Sequence, residues 1–311
     1  MRIELDKINK SFGEKHVLKD VSFAAESGRA FGLLGRNGSG KTTTIRIIMG
    51  IFPQDSGKVL IDGRGDYKKS LSKIGYLPEE RGLYPKRKII EQMIYFGELR
   101  GISRATAKKN AEHLLEKLEA TEHINKKLET LSKGNQQKIQ LAISLITEPD
   151  ILILDEPFSG LDPVNQVVLK SLVSEMVAAG KLVIFSSHQM ANVEEFCDDV
   201  CIVEKGEIVL SGNLRNIKKS YPRNRVLCAP ESANLQEFEK LLSGDPEISA
   251  MIASTAHTRQ GLAITLKNEG DKARLFSAMS AIGISLDIFK VMEPSLEEIF
   301  IEKVGRANET V

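Results

Sequence analysis

The sequence predicts an α/β fold, with an antiparallel β subdomain ahead of the main sheet, a helical subdomain inserted into it and a small α+β domain after it. Three features carry that expectation. The octet Gly35-Arg36-Asn37-Gly38-Ser39-Gly40-Lys41-Thr42 fits G-x-x-x-x-G-K-[ST] and lies between a short apolar strand, Arg29 to Leu34, and a helical run, Thr43 to Met49, closed by Gly50. Ile151-Leu152-Ile153-Leu154 is apolar at every position, the mark of a strand buried on both faces of a parallel sheet. Residues 88–146 have helical periodicity and dense charge, as in Ala111-Glu112-His113-Leu114-Leu115-Glu116-Lys117-Leu118.

The octet supplies chemistry as well as structure. Its glycines let the backbone curl until several N–H groups face one anion, and the following helix adds the positive end of its dipole. In this motif the lysine, here Lys41, reaches the β- and γ-phosphates, and the hydroxyl of Thr42 ligates Mg²⁺.

With 311 residues there is room for two domains, each with its own core. The polar turn Tyr221-Pro222-Arg223-Asn224 sets the boundary, giving domains 1–220 and 225–311. Lys and Arg number 43 against 42 Asp and Glu, so no global field draws the chain to nucleic acid. The longest apolar runs, Ile151 to Leu154 and Leu141 to Ile146, fall far short of the roughly 18 residues that span a bilayer, so no transmembrane segment is expected. Ile3 and Leu5 alternate with Arg2, Glu4 and Asp6 as in a strand, unlike a signal peptide, which points to the cytosol. The three cysteines, Cys197, Cys201 and Cys228, read as buried thiols of a reducing compartment.

In chain order, residues 2–27 read as antiparallel strands around a turn at Ser11-Phe12-Gly13-Glu14. Phe12 in that turn either folds back on the core or offers its ring to a base. Strands at 56–63 and 74–77 precede the helical block, whose basic cluster from Arg100 to Lys109 reads as a solvated face. Ser132 is an N-cap for a helix running to about Thr147, and Gly134 leaves its first N–H groups uncovered, an arrangement open to an anion or to nothing.

The buried strand at 151–154 ends in Asp155-Glu156, at the strand edge where α/β sheets place their chemistry. Strand alternation aims the two carboxylates at opposite faces, Asp155 suited to Mg²⁺ and Glu156 to a base for water. A helix at 163–179 leads to a strand at 181–187 that ends at His188, and Lys205-Gly206 turns a hairpin. Residues 213–220 look helical. Beyond the boundary the pattern is strand 225–229, helix 234–243, strands 247–255 and 261–267, helix 271–282, strand 284–291, and a last helix with the capping box Ser295/Glu298. The order β-α-β-β-α-β suggests a ferredoxin-like sandwich.

Residues 1 to about 220 resemble the ATP-binding subunit of an ABC transporter, a P-loop NTPase fold. The features that carry the likeness are the octet, Leu131-Ser132-Lys133-Gly134-Asn135-Gln136, the strand ending Asp155-Glu156, Ser159-Gly160-Leu161-Asp162, and His188. The resemblance implies ATP and Mg²⁺ as cofactors. It makes Phe12 the adenine-stacking aromatic, the loop from Gly35 through Thr42 with Thr43 the phosphate cradle, and Asp162 the D-loop aspartate. Glu156 becomes the catalytic base, His188 the switch histidine, and Thr42, Asp155 and Glu79 the metal side. It further implies a homodimer or paired subunits in which Ser132 and Gly134 cap the partner's ATP, an integral-membrane permease as partner, and a place on the inner face of the cell membrane.

Three replacements depart from the family pattern: Glu79 stands for its usual Gln, and Lys133 and Asn135 alter its Leu-Ser-Gly-Gly-Gln signature. Pro294-Ser295-Leu296-Glu297-Glu298-Ile299-Phe300 is similar to the extension of exporter subunits related to sodium-extrusion and peptide-antibiotic resistance pumps. The alternative from another class is a soluble ABC ATPase acting in translation, repair or on chromosomes. The chain has neither the fused second domain nor the coiled coils or zinc motifs of that class.

Overall fold

Apolar alternation builds the first sheet. Strand β1 (Arg2–Phe12) buries Ile3, Leu5 and Ile8 and pairs antiparallel with β2 (Lys15–Glu26). The next strand, β3 (Ala30–Leu34), leaves for a second sheet, and β4 (Ser56–Ile61) returns to the other edge of β1. This computed structural model describes residues 1–65, 67–80, 82–231 and 234–308. It divides into two compact units, Met1–Leu214 with the chain from Phe300 onward, and Arg215–Ile299.

The second sheet contains β3, β5 (Ile74–Leu77), β6 (Ile151–Asp155), β7 (Leu182–Ser187), β8 (Asp199–Glu204) and β9 (Glu207–Asn213), in the order β5-β6-β7-β3-β8-β9. All pairs are parallel except the β8–β9 hairpin. Every residue of β3, β6 and β7 is buried, which explains why these strands carry no polar alternation. Each fully buried Leu or Ile contributes about 1.5–3 kcal/mol. Because the strands run parallel, their C-terminal ends share one edge: Leu34 lies opposite Ser187, and Asp155 opposite Ser186. Gly35, Glu156 and His188, each next in sequence, therefore leave the sheet on the same side.

Helix α1 (Lys41–Ile48) starts within the octet, at its lysine. The inserted block holds α2 (Ile89–Leu99), α3 (Arg104–Lys117) and α4 (Lys133–Leu145), with 3-10 turns at Thr121–His123 and Leu128–Thr130. Of its basic cluster, Arg104, Lys108 and Lys109 are exposed as expected. Arg100 is not merely a solvated residue: its guanidinium donates to the Ile74 carbonyl at 2.6 Å and ties the helices to β5. Helix α5 (Pro163–Ala178) is capped by Asp162 with Pro163 in its first turn. The short α6 (Met190–Phe196), between β7 and β8, has no counterpart in the expected element list; it is too brief for its period to stand out. Helix α7 (Leu214–Lys219) closes the series.

In the second unit β10 (Arg225–Pro230), α8 (Leu235–Gly244), α9 (Pro246–Met251), β11 (Ile252–Thr258), β12 (Gly261–Leu266), α10 (Lys272–Ala281) and β13 (Leu286–Met292) form an antiparallel sheet, order β11-β12-β10-β13, carrying helices. That is the ferredoxin-like arrangement. Residues 247–251, expected as strand, are helical. Asp245 caps Glu247 and Ile248 through its carboxylate and Pro246 presets the first turn, so local capping starts a helix where a strand was expected. The last helix, α11 (Leu296–Asn308), begins with the expected capping box: the Glu298 N–H donates to Ser295 Oγ at 3.1 Å and the Ser295 N–H to Glu298 Oε2 at 2.9 Å. The three cysteines are buried, and burial pushes the thiols of Cys201 and Cys228 up to about 12.

Candidate functional site

The octet forms a tight cradle because two of its glycines have no room for a side chain. A Cβ at Gly35 would lie 2.2 Å from the Val203 carbonyl oxygen, and one at Gly40 would lie 2.6 Å from Leu18 Cδ2, with φ values of +152° and +116°. Gly40 is the N-cap of α1, no side chain caps that helix, and its first turn holds no acidic residue. Its positive end is thus left open. Arg36, Asn37 and Gly38 form the exposed rim, Ser39 and Lys41 are buried, and Thr42 and Thr43 are half-buried. Lys41 Nζ donates to the carbonyls of Gly35 at 2.9 Å and Arg36 at 3.2 Å and stands 3.6 Å from Glu156 Oε1.

The carboxylates at the end of β6 converge on this cradle. Thr42 Oγ1 donates to Asp155 Oδ1 at 3.4 Å, and the Ser186 hydroxyl donates to the same oxygen. The strand stops at Asp155, and Glu156 takes a left-handed φ of 49°. The expected divergence of the two side chains to opposite faces is therefore incorrect, because alternation holds only while the backbone stays extended. Glu156 turns toward Lys41, and its Oε2 meets His188 Nδ1 at 2.9 Å. Its own N–H donates to Ser186 Oγ at 3.1 Å, so one serine orders both acids. Asp155 Oδ2 and Glu156 Oε1 are buried without a hydrogen-bond partner, two strong acceptors aimed at the cradle's surroundings.

Tyr76 on β5 senses this charge. Its hydroxyl is pushed up to about 12, by burial first and then by the Asp155 carboxylate, with Glu79 adding to the effect. Glu79 itself is exposed, on a segment held from both sides by Gln140 of α4, whose Nε2 donates to the carbonyls of Pro78 and Glu80 at 3.2 and 3.1 Å. Phe12 is 44% exposed, edge-on to Phe52 at 5.4 Å between ring centroids; of the two readings open to it, the ring stays outside the core.

Ser132 and Gly134 form a separate constellation with Asp162. Ser132 Oγ accepts from the Asn135 N–H at 3.3 Å, the capping role expected of it. Gly134 is buried, and the reason lies across the way: a Cβ there would come 2.9 Å from Asn165 Nδ2. Asn165 in turn donates its N–H and its amide to the two oxygens of Asp162 at 2.9 and 2.6 Å, and these bonds hold the Asp162 carboxyl below its ordinary range. Gly134 thus makes room for the cap of α5 as well as exposing its own helix end.

Ser186 and Gln140 are the site residues that sequence reasoning missed. The signal for Ser186 was present, since Ser186-Ser187 puts two hydroxyls at the end of an otherwise apolar buried strand just before His188. Gln140 gave no signal, being one polar residue among many on a helix. Together the cradle, the half-buried hydroxyl, the buried carboxylates and the histidine suit a polyphosphate with a hard cation beside it and a base next to that.

Comparisons with known proteins agree with that chemistry. Residues 18–159 match the ABC transporter family, and residues 212–304 match the C-terminal domain of DrrA1-3-like ATP-binding proteins. YhaQ of Bacillus subtilis, an uncharacterized ABC transporter ATP-binding protein, is 40% identical over 99% of this chain and 100% of its own length. The linearmycin resistance ATP-binding protein LnrL of the same organism is 30% identical over 98% of each. A solved dimeric bacterial ABC transporter cassette superposes with a TM-score of 0.63 at 25% identity, covering 68% of this chain and 99% of that one. No described helix is long and apolar enough to cross a membrane. With a full-length relative at this identity and both domains matched in order, the chain belongs to the ATP-binding proteins of ABC transporters.

Proposed function

We propose that this chain binds ATP with Mg²⁺, hydrolyses it to ADP and phosphate, and as a pair of copies drives export through a separate integral-membrane permease. The observation that carries the reading is the pair of buried carboxylate oxygens without a hydrogen bond, Asp155 Oδ2 and Glu156 Oε1, the first on the acid that meets Thr42 and the second ion-paired with Lys41 at 3.6 Å. Among the described residues no cluster of His, Cys, Asp and Glu side chains makes a metal site alone, which suits a cation held partly by phosphate oxygens. Thr42 and Asp155 are hard oxygen donors that fit Mg²⁺. Bound there, Mg²⁺ would neutralise charge on the phosphate oxygens.

Lys41 exchanges its carbonyl partners for the β- and γ-phosphates when nucleotide enters, and the open end of α1 adds its dipole. Glu156 orients an attacking water and takes its proton, while His188 holds the other carboxylate oxygen. Ser132 and Gly134 act in trans on the partner copy's ATP, and the solved dimer of a related cassette supports pairing. A relative tied by name to resistance supports outward pumping, with the subunit at the inner membrane face. Glu156→Gln keeps shape and hydrogen bonding but cannot accept the proton. In size-exclusion chromatography the full-length variant is expected to run as a dimer with ATP and Mg²⁺ and as a monomer without them. Adding Ser132→Arg should block closure by bulk. A Glu156→Gln chain that binds ATP yet stays monomeric would refute the paired arrangement.

A further inference from the structure

The start of α4 leans on a buried histidine that the reaction above does not use. His123, 7% exposed, ends the 3-10 turn Thr121–His123. Its Nδ1 lies 3.2 Å from Lys126 Nζ; its Nε2 lies 2.9 Å from Asn135 Nδ2 and 3.4 Å from Glu122 Oε1. An ammonium can only donate, so Nδ1 accepts and the hydrogen of the neutral ring sits on Nε2. With Nε2 carrying the hydrogen, Asn135 Nδ2 would set donor against donor, so we assign the Asn135 amide turned by half, its oxygen accepting from Nε2–H.

Asn135 matters because its N–H binds Ser132 Oγ and because it occupies the last position of Leu131-Ser132-Lys133-Gly134-Asn135. Gln136 ties the other side of this turn, donating to the carbonyls of Leu128 and Leu131 at 3.2 and 3.0 Å. The charged groups facing His123 are Glu122 and Lys126 from its own segment and Lys138 from α4. Burial first, then Lys126, with a smaller contribution from Lys138, holds its proton affinity below the ordinary 6.5, against the opposing pull of Glu122. The ring is therefore neutral at pH 7, and protonating it would set an imidazolium against two ammoniums.

We propose that His123 is a positioning residue for the nucleotide-capping end of α4: fixed by Lys126, it holds Asn135 and so the Ser132–Gly134 turn that closes over the partner copy's ATP. This rests on the paired arrangement proposed above. The test uses the full chain carrying Glu156→Gln, with ATP and Mg²⁺, and measures the dimer dissociation constant by sedimentation; ATP affinity is measured at protein concentrations where the chain is monomeric.

His123→Ala is expected to weaken the dimer about tenfold, the worth of one lost hydrogen bond, while ATP affinity of the monomer changes less than about twofold. With Glu156 intact, the same substitution should lower kcat and leave KM unchanged. His123→Gln places an amide where Nε2 was, so it should restore the dimer and remove the weakening that the parent chain shows as pH falls through the lowered value of the ring, below 6.5. If His123→Ala cannot be folded, the pH comparison between the parent and the His123→Gln chain decides alone. An Ala variant that pairs like its parent, or equal acid weakening in the parent and the His123→Gln chain, overturns the inference. Ser132→Arg separates the two levels: a Ser132→Arg chain that still dimerises removes the paired arrangement itself, whereas a blocked one beside an unaffected His123→Ala removes only His123.

Discussion

Two glutamates in this protein each meet a hydroxyl and a histidine, and they end in opposite conditions. On α8, Glu239 accepts from Thr255 through Oε1 and pairs Oε2 with His257 Nε2 at 2.8 Å; its side chain is 33% exposed. Both oxygens are satisfied, and the Thr255 bond first, then His257, holds the carboxyl below its ordinary range. Glu156 has Ser186 on its backbone and His188 on Oε2, but its side chain is only 7% exposed and Oε1 is left over beside an ammonium. The same residue types therefore make a closed surface knot in one place and an open acceptor in the other. What separates them is burial combined with an unspent lone pair, which residue type alone does not report.

The strongest way to break this contrast is to neutralise each acid. Glu156→Gln should lower ATP turnover by a factor of about 10² to 10⁴, and Glu239→Gln should leave it within about twofold; steady-state phosphate release measures both. If the two variants behaved alike, the unsatisfied oxygen would carry no chemistry. Ser186→Ala removes the hydroxyl that orders Asp155 and Glu156 together. It should cost about tenfold to a hundredfold in kcat, with ATP affinity largely kept, whereas Thr255→Ala should not alter kcat.

Glu79→Gln sharpens the boundary of the site. Since Glu79 is exposed and its segment is held through backbone carbonyls by Gln140, ATP binding by equilibrium titration should be unchanged and the effect confined to transport coupling. Loss of ATP binding would make Glu79 a primary ligand. The smallest effect is in acid. Because the folded Glu239 carboxyl titrates below its ordinary 4.5, its contribution to stability is present above that value and is lost as pH falls through the folded one. In Glu239→Gln that loss should vanish, leaving a flatter pH dependence of the melting temperature below about pH 4.5; an unchanged slope would show that the knot stores nothing.

Much of the site was legible because its parts lie in short, strongly patterned segments. The octet, the all-apolar run before Asp155 and the strand before His188 each combine a fixed spacing with a buried strand, and a parallel sheet must deliver their ends to one edge. What stayed hidden depends on backbone angles or on long-range partners. The turn of Glu156 toward Lys41 needs a φ of 49° that no alternation rule contains. Gly134 looked like an uncovered helix end, and only the approach of Asn165, about thirty residues later, gives it a second purpose. Residues 247–251 were expected to continue into the strand that follows them, and the Asp245-Pro246 pair, read alone as a helix start, would have corrected it.

The left-handed backbone at Glu156 also bears on how the protein answers to selection for robustness. A residue with a Cβ in that region gives up about 1–2 kcal/mol, which Gly would recover and Asn would recover in part. Heat challenge alone should therefore enrich Gly and Asn at position 156, and every such winner would lack the carboxylate. Gln inherits the same backbone cost as Glu, so it isolates the acid's chemistry from the relief of strain. Lys7, Asp20, Asp62, Glu119, Glu148 and Lys205 share that backbone region, but position 156 is the one among them where the hardier chain would also lose the carboxylate proposed as the base.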